Sequence, residues 1–294
     1  MSTFKQLMMR RKQTSDDYLA FTAEEAASTI SLSVTGTPTY NLKYSTNKIG
    51  WYTFADSTAN IINIITLNNI GDTVYIKGTY ENLSGYITFI ISKKTSVSGN
   101  LYSILDKDNF ETIIDLTNYS NTTFNNLFYN CTKLTNARNL RLPATTLSYN
   151  CYNQMFYGCD NLVSTPFLPA TTLAKYCYRM MFLGCTSLIN VSDLPAIVLT
   201  ENCYDSMFVA CTSLVKGPYI MANVLAENCF NEMFRYSTLL NEIKINYTGN
   251  FIIDYFHDWV YNVASVGTFY YNGTDTSNFD DSAIPIGWTI QTFS

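Results

Sequence analysis

From Asn126 to Tyr236 the chain repeats itself with a fixed step. LSYNCYNQMFYGC (Leu147–Cys159), LAKYCYRMMFLGC (Leu173–Cys185), LTENCYDSMFVAC (Leu199–Cys211) and LAENCFNEMFRYS (Leu225–Ser237) each begin 26 residues after the previous copy. A partial copy, Leu127–Cys131, precedes its counterpart by 28. A period of this length excludes most single-core folds. One unit cannot bury its own apolar face, so neighbouring units must stack and bury it jointly.

Each unit has two parts. In the first, Leu173, Cys177 and Met181 fall at i, i+4 and i+8, and Tyr178 and Phe182 at i+5 and i+9. This spacing predicts an amphipathic helix with one apolar stripe. Thr171 and Thr172 stand before it as candidate N-caps, and Gly184 follows as a breaker. Off the stripe, Gln154, Met180, Ser206 and Glu232 share one column. The second part is short and extended: Leu162–Pro169, Leu188–Pro195 and Leu214–Met221. Its leading anchors are an even number of residues apart, so both face one side of a strand. The first copy, Leu134–Pro143, carries two extra residues, which accounts for the longer first step.

The pattern M-F-x-G-C-x-x-L followed by L-P-A-T-T-L, at Met155–Leu162, Leu168–Leu173 and Met181–Leu188, resembles the BspA-like class of leucine-rich repeats. The similarity runs from about Leu101 to the C-terminus. Ala210 in place of Gly, Ser237 in place of Cys and Met221 in place of Pro depart from it. Similar proteins occur in gut Bacteroidetes and in the tailed, crAss-like phages that infect them. The resemblance implies a right-handed α/β solenoid with a parallel sheet on one face, and binding in place of catalysis.

Before the repeats, residues 17–97 alternate as an all-β module should. Candidate strands are Leu19–Thr22, Thr29–Val34, Asn41–Ser45, Trp51–Phe54, Ile61–Leu67, Thr73–Lys77 and Tyr86–Ser92, separated by turn signals such as Thr35–Pro38 and Asn47–Gly50. Short strands at this spacing suggest a sandwich, Ig-like or jelly-roll. The fold class expected is therefore mixed: an N-terminal all-β sandwich followed by an α/β leucine-rich-repeat solenoid with end caps. The divisions expected are an arm at 1–16, the sandwich at 17–97 and the solenoid at 98–294, with caps at 98–125 and 238–294.

The arm carries Lys5, Arg10, Arg11 and Lys12 and no acid in its first twelve residues, on a chain of net charge −5. Phe4, Leu7 and Met8 give it an apolar face at i, i+3 and i+4. These seven residues are the expected assembly anchor, docking on protein and not in a membrane. The start has no apolar signal-peptide core. The acidic balance argues against nucleic acid as a partner.

All eight cysteines sit in repeat columns, which points to free thiols in the interior and not to disulfides. Their C-x7-C spacing is not that of a zinc site. His257 is the only histidine, in an aromatic-rich stretch, and Asp16-Asp17, Glu24-Glu25 and Asp280-Asp281 are neighbours in sequence that would point apart on strands. No phosphate loop, metal motif or catalytic constellation is present in the sequence, so neither enzyme activity nor a metal or other cofactor is expected. Binding is expected on the outer side of the repeat sheet, at Asn139, Arg141, Thr165, Phe167, Val191, Asp193 and Tyr219. The function expected is that of a non-enzymatic virion protein of a tailed phage: a head fibre, capsid decoration or tail fibre. It would be attached by its N-terminal part and would contact other virion proteins and a host surface protein or polysaccharide. It would act as a homo-oligomer, a trimer among the options. The alternative is a bacterial cell-surface adhesin.

Overall fold

A computed structural model describes residues 17–54, 61–81, 84–249, 253–273 and 284–292. They form thirteen strands: β1 Leu19–Ala23, β2 Ser28–Gly36, β3 Thr39–Ser45, β4 Tyr52–Thr53, β5 Ile61–Leu67, β6 Thr73–Glu81, β7 Gly85–Ile91, β8 Thr95–Asn100, β9 Leu134–Arg141, β10 Lys216–Ile220, β11 Glu242–Ile245, β12 Gly267–Tyr271 and β13 Trp288–Gln291. The one α-helix among the described residues is a single turn, Ile253–Phe256.

The first eight strands make two sheets around a common core. One sheet has the order β4-β3-β6-β1-β8-β9, the other β5-β2-β7. Alternation dictates which side chains meet between them. Val74, Ile76 and Tyr80 of β6 point inward with Phe21 of β1. They face Ile87, Phe89 and Ile91 of β7, and the Phe21 and Phe89 rings lie 4.8 Å apart. The larger sheet does not stop at residue 97. β8 pairs in parallel with β9, which belongs to the first repeat, so the N-terminal sheet and the repeats share a backbone ladder.

Beyond β9 the repeats stack through successive single parallel bridges, Arg141 to Phe167, Ser164 to Asn190 and Leu194 to Ile220. The ladder then widens into the parallel sheet β10-β11-β12-β13. A second line of bridges joins Asp115, Thr146 and Thr172, and Val198 to Val224. The stretch 238–294, expected as a cap, contributes three of the four strands of the last sheet.

The segments expected to be helical are not helices, and the expected α/β leucine-rich-repeat solenoid is not the fold: among the described residues the regular secondary structure is nearly all β. Within Leu147–Cys159 residues 149–158 run as consecutive turns, and the copies do the same. Asn150, Gln154 and Gly158 have φ near 57°, 55° and 66°, and the same columns are left-handed at Tyr176, Met180 and Gly184, and at Asn202, Ser206 and Ala210. A left-handed residue at every fourth position breaks any α-helix. Backbone donors alternate accordingly. The N–H groups of Asn150, Tyr152, Gln154, Phe156 and Gly158 reach carbonyls of the next repeat at 2.8–3.0 Å, whereas those of Asn153, Met155, Tyr157 and Cys159 bond three residues back within their own repeat. A four-residue turn period reproduces the i, i+4, i+8 stripe that a helix would show.

In-register stacking places identical side chains on one another. Phe128, Phe156, Phe182, Phe208 and Phe234 form a column with ring centroids 5.1–5.7 Å apart and planes within about 11°. Tyr152, Tyr178 and Tyr204 form another, at 5.6 and 6.0 Å. All eight cysteines are free and buried. The thiols of Cys159, Cys185 and Cys211 donate to the carbonyls of Phe128, Phe156 and Phe182 at 3.1–3.2 Å, and where the column changes to Ser237 the hydroxyl makes the same bond to Phe208 at 2.8 Å. Burial pushes the thiols up from their ordinary value of 9.0, Cys151 and Cys229 to about 12.

Candidate functional site: the outer face of the repeat sheet

Strand pairing sets one row of side chains across the sheet. The bridge from Arg141 to Phe167 begins it. The registers Ser164–Asn190 and Leu194–Ile220 carry it through Asp193 to Tyr219. The β10-β11-β12-β13 pairing then takes it through Lys244 and Tyr270 to Gln291. Each member stands beside buried neighbours that turn inward: Leu140 and Leu142 around Arg141, Leu194 next to Asp193, Ile243 and Ile245 around Lys244, and Phe269 and Tyr271 around Tyr270. In β9 and β10–β12 the row faces out by the ordinary two-residue alternation of strands, and the single bridges carry it on through Phe167 and Asp193.

Ionic and cation–π contacts tie the row together. Arg141 Nη1 pairs with Asp17 Oδ2 at 2.8 Å. Asp193 Oδ1 accepts the Tyr219 backbone N–H at 3.0 Å. Partial burial and then the Asp193 charge raise the Tyr219 hydroxyl above its ordinary value. The Lys244 ammonium lies between two rings, 5.3 Å from the Tyr219 centroid and 5.7 Å from that of Tyr270. Two residues before Lys244, Glu242 Oε2 accepts Lys216 Nζ at 2.8 Å. The face is thus aromatic at every second strand from Phe167 and charged between.

Of the expected binding residues, Arg141, Phe167, Asp193 and Tyr219 share this row. Asn139 is exposed on the same sheet, paired in register with Ser98. Thr165 is a correction: it is buried, and its hydroxyl accepts the Ser192 N–H at 2.9 Å, because residues 162–168 form single bridges and do not keep strict strand alternation. Val191 is a second correction, since it packs against the core. The anchor residues Phe4, Lys5, Leu7, Met8, Arg10, Arg11 and Lys12 lie outside the described residues. Lys244, Tyr270 and Gln291 were not expected. A strict 26-residue step from Tyr219 leads to Ile245, which is buried, because the register between β10 and β11 shifts between Lys216 and Tyr219, so that the step of 26 at Lys216 becomes 25 at Tyr219. The alternation Ile243-Lys244-Ile245 and Phe269-Tyr270-Tyr271 was the signal that could have found them.

Among the described residues no cluster of His, Cys, Asp or Glu could hold a metal ion. No helix among them is long and apolar enough to cross a membrane. His257 is exposed, and its carbonyl accepts the Glu232 N–H at 2.8 Å. Of the paired acids, Asp17 is engaged with Arg141, and Glu24 accepts the Thr135 hydroxyl at 2.9 Å. Comparison with protein-family models, curated proteins and solved structures found no match.

Proposed function

We propose that this chain is a non-enzymatic structural and adhesion protein of a tailed phage virion, which presents the outer sheet face of its stacked repeats to a host surface. The observation that carries this reading is the outward row Arg141–Phe167–Asp193–Tyr219–Lys244–Tyr270, held on a hydrogen-bonded ladder that begins in the N-terminal sheet. Side chains fixed at strand spacing lose little further freedom when a ligand binds, which favours adhesion by many modest contacts. The resemblance of the repeat sequences to BspA-like proteins of gut bacteria and their phages supports the virion setting. The N-terminal part is the proposed attachment end, with Phe4, Leu7, Met8 and the four basic residues making contact with other virion proteins.

Mass spectrometry of purified virions tests the setting, and adsorption of fluorescent full-length protein to host cells tests the role. The chain is expected among the particle proteins. Its adsorption should fall when Tyr219 and Tyr270 are both replaced by alanine. Absence from virions, or adsorption indifferent to the double substitution, would overturn the reading.

A further inference from the structure

The spacing of the aromatic residues in the row names a class of ligand. Adjacent strands of a sheet lie about 4.8 Å apart, so rings on every second strand recur at about 10 Å. Phe167 and Tyr219 are two strands apart in the row, as are Tyr219 and Tyr270. That is the length of about two sugar rings in an extended glycan. Between the rings stand an acceptor, Asp193, and a donor, Lys244, placed where the intervening sugar would turn its hydroxyl or carboxylate edge toward the sheet. A pyranose presents an apolar C–H face and a polar rim, and an aromatic ring flanked by charged groups matches both.

From this geometry we infer that the row binds an extended polysaccharide laid across the strands, one disaccharide per aromatic step. This rests on the adhesion reading above and specifies its ligand. A compact or highly branched glycan cannot keep two rings covered at once. A peptide in the β conformation is out of step: it advances about 3.3 Å per residue, so its two-sided repeat falls near 7 Å. The Lys244 ammonium, held between the Tyr219 and Tyr270 rings, gives the site its preference between neutral and uronate-bearing chains.

Affinity electrophoresis of the full-length chain tests this, in gels containing hydroxyethyl cellulose, polygalacturonate or glycogen. Retardation is expected with at least one of the two extended polymers and not with glycogen. Tyr219→Ala/Tyr270→Ala should weaken it about tenfold or more, since each lost ring contact is worth about three- to tenfold. Tyr219→Phe/Tyr270→Phe should retain it. Lys244→Met should reduce retardation by polygalacturonate and spare that by hydroxyethyl cellulose. Tyr270→Ala alone serves as a second variant if the double alanine chain fails to give the parent circular dichroism spectrum. No retardation by either extended polymer, equal retardation by glycogen, or retardation unchanged in the alanine variants overturns the inference. Host-cell adsorption separates the two readings. If the double alanine variant loses adsorption while no polymer is bound, the ligand class is wrong and the adhesion role stands. If polymer binding depends on the rings and adsorption does not, the ligand class stands and the adhesion role falls.

Discussion

Raising the pH should unfold this protein abruptly, and the buried thiols set where. All eight cysteines are free and buried, and burial raises their pKa above the ordinary value of 9.0. A thiol whose pKa is higher in the folded chain contributes stability that is fully present below the unfolded value. That stability is lost as pH rises from there toward the folded value, because only the unfolded chain releases the proton. For Cys151 and Cys229 the folded value is about 12, so the window opens near 9 and spans about three pH units. At pH 10 each thiol ionised only in the unfolded chain costs about 1.4 kcal/mol, and eight together cost about 11 kcal/mol. Buried tyrosines, including Tyr102, Tyr152, Tyr178 and Tyr204, are raised in the same direction and add to the loss above their ordinary value of 10.0. A domain with a stability of about 5–15 kcal/mol should then unfold between roughly pH 9.5 and 10.5. Circular dichroism and thiolate ultraviolet absorbance, followed together under reducing conditions, should change in one step. Replacing Cys131, Cys159, Cys185 and Cys211 by serine removes half of the thiol contribution and keeps the hydrogen bond already made by Ser237. It should move the midpoint up by about half a pH unit. Thiolate absorbance that grows near pH 9 with the circular dichroism intact would refute the reasoning, since the thiols would then be ionising in place.

The remaining predictions concern the turns and the arm. Met181→Ala, at a fully buried position of a central repeat, should cost roughly 2–5 kcal/mol in a urea titration. Its neighbour Met180 has φ near 52°, so Met180→Gly should leave stability unchanged or raise it, where a helix interior would lose about 1 kcal/mol. The reciprocal change, Gly184→Ala at φ 75°, should cost about 1–2 kcal/mol from backbone strain alone, because the added methyl would sit 3.7 Å from its nearest neighbour. Deleting residues 2–12 should leave the melting temperature unchanged and abolish incorporation into particles that lack the protein. Normal incorporation would move the attachment surface to residues 17–97.

The repeat boundaries and the alternating strands were legible because they depend on periods that the side chains print directly. Thr73–Lys77 was readable as a strand from alternation, and the structure extends it to Glu81. The turn track was not legible as turns. Its apolar residues recur at four, eight, five and nine, and a run of four-residue turns shares those offsets with a helix; the missing i+3 and i+7 partners were the one distinguishing mark. Left-handed residues are betrayed by glycine or asparagine, as at Gly158 and Asn150, but at Tyr176, Met180 and Glu232 the stacking of neighbours imposes the same φ on side chains that disfavour it. The binding row was half legible for a related reason. Phe167, Asp193 and Tyr219 follow the repeat period, whereas Lys244 and Tyr270 follow the strand register after that period slips by one.

The ladder from β8 into β9 bonds the N-terminal sheet directly to the first repeat, whatever path the chain takes between them. A tether pulling on the distal repeats along the stack would therefore meet no hinge that could swing to relieve it. The hydrogen bonds between repeats run along the direction of such a pull. Those from Asn150, Tyr152, Gln154, Phe156 and Gly158 to the next repeat would share such a load. In mechanical terms each repeat hands the pull to the next through a set of parallel hydrogen bonds, so the stack carries load across its whole width and not along the chain alone.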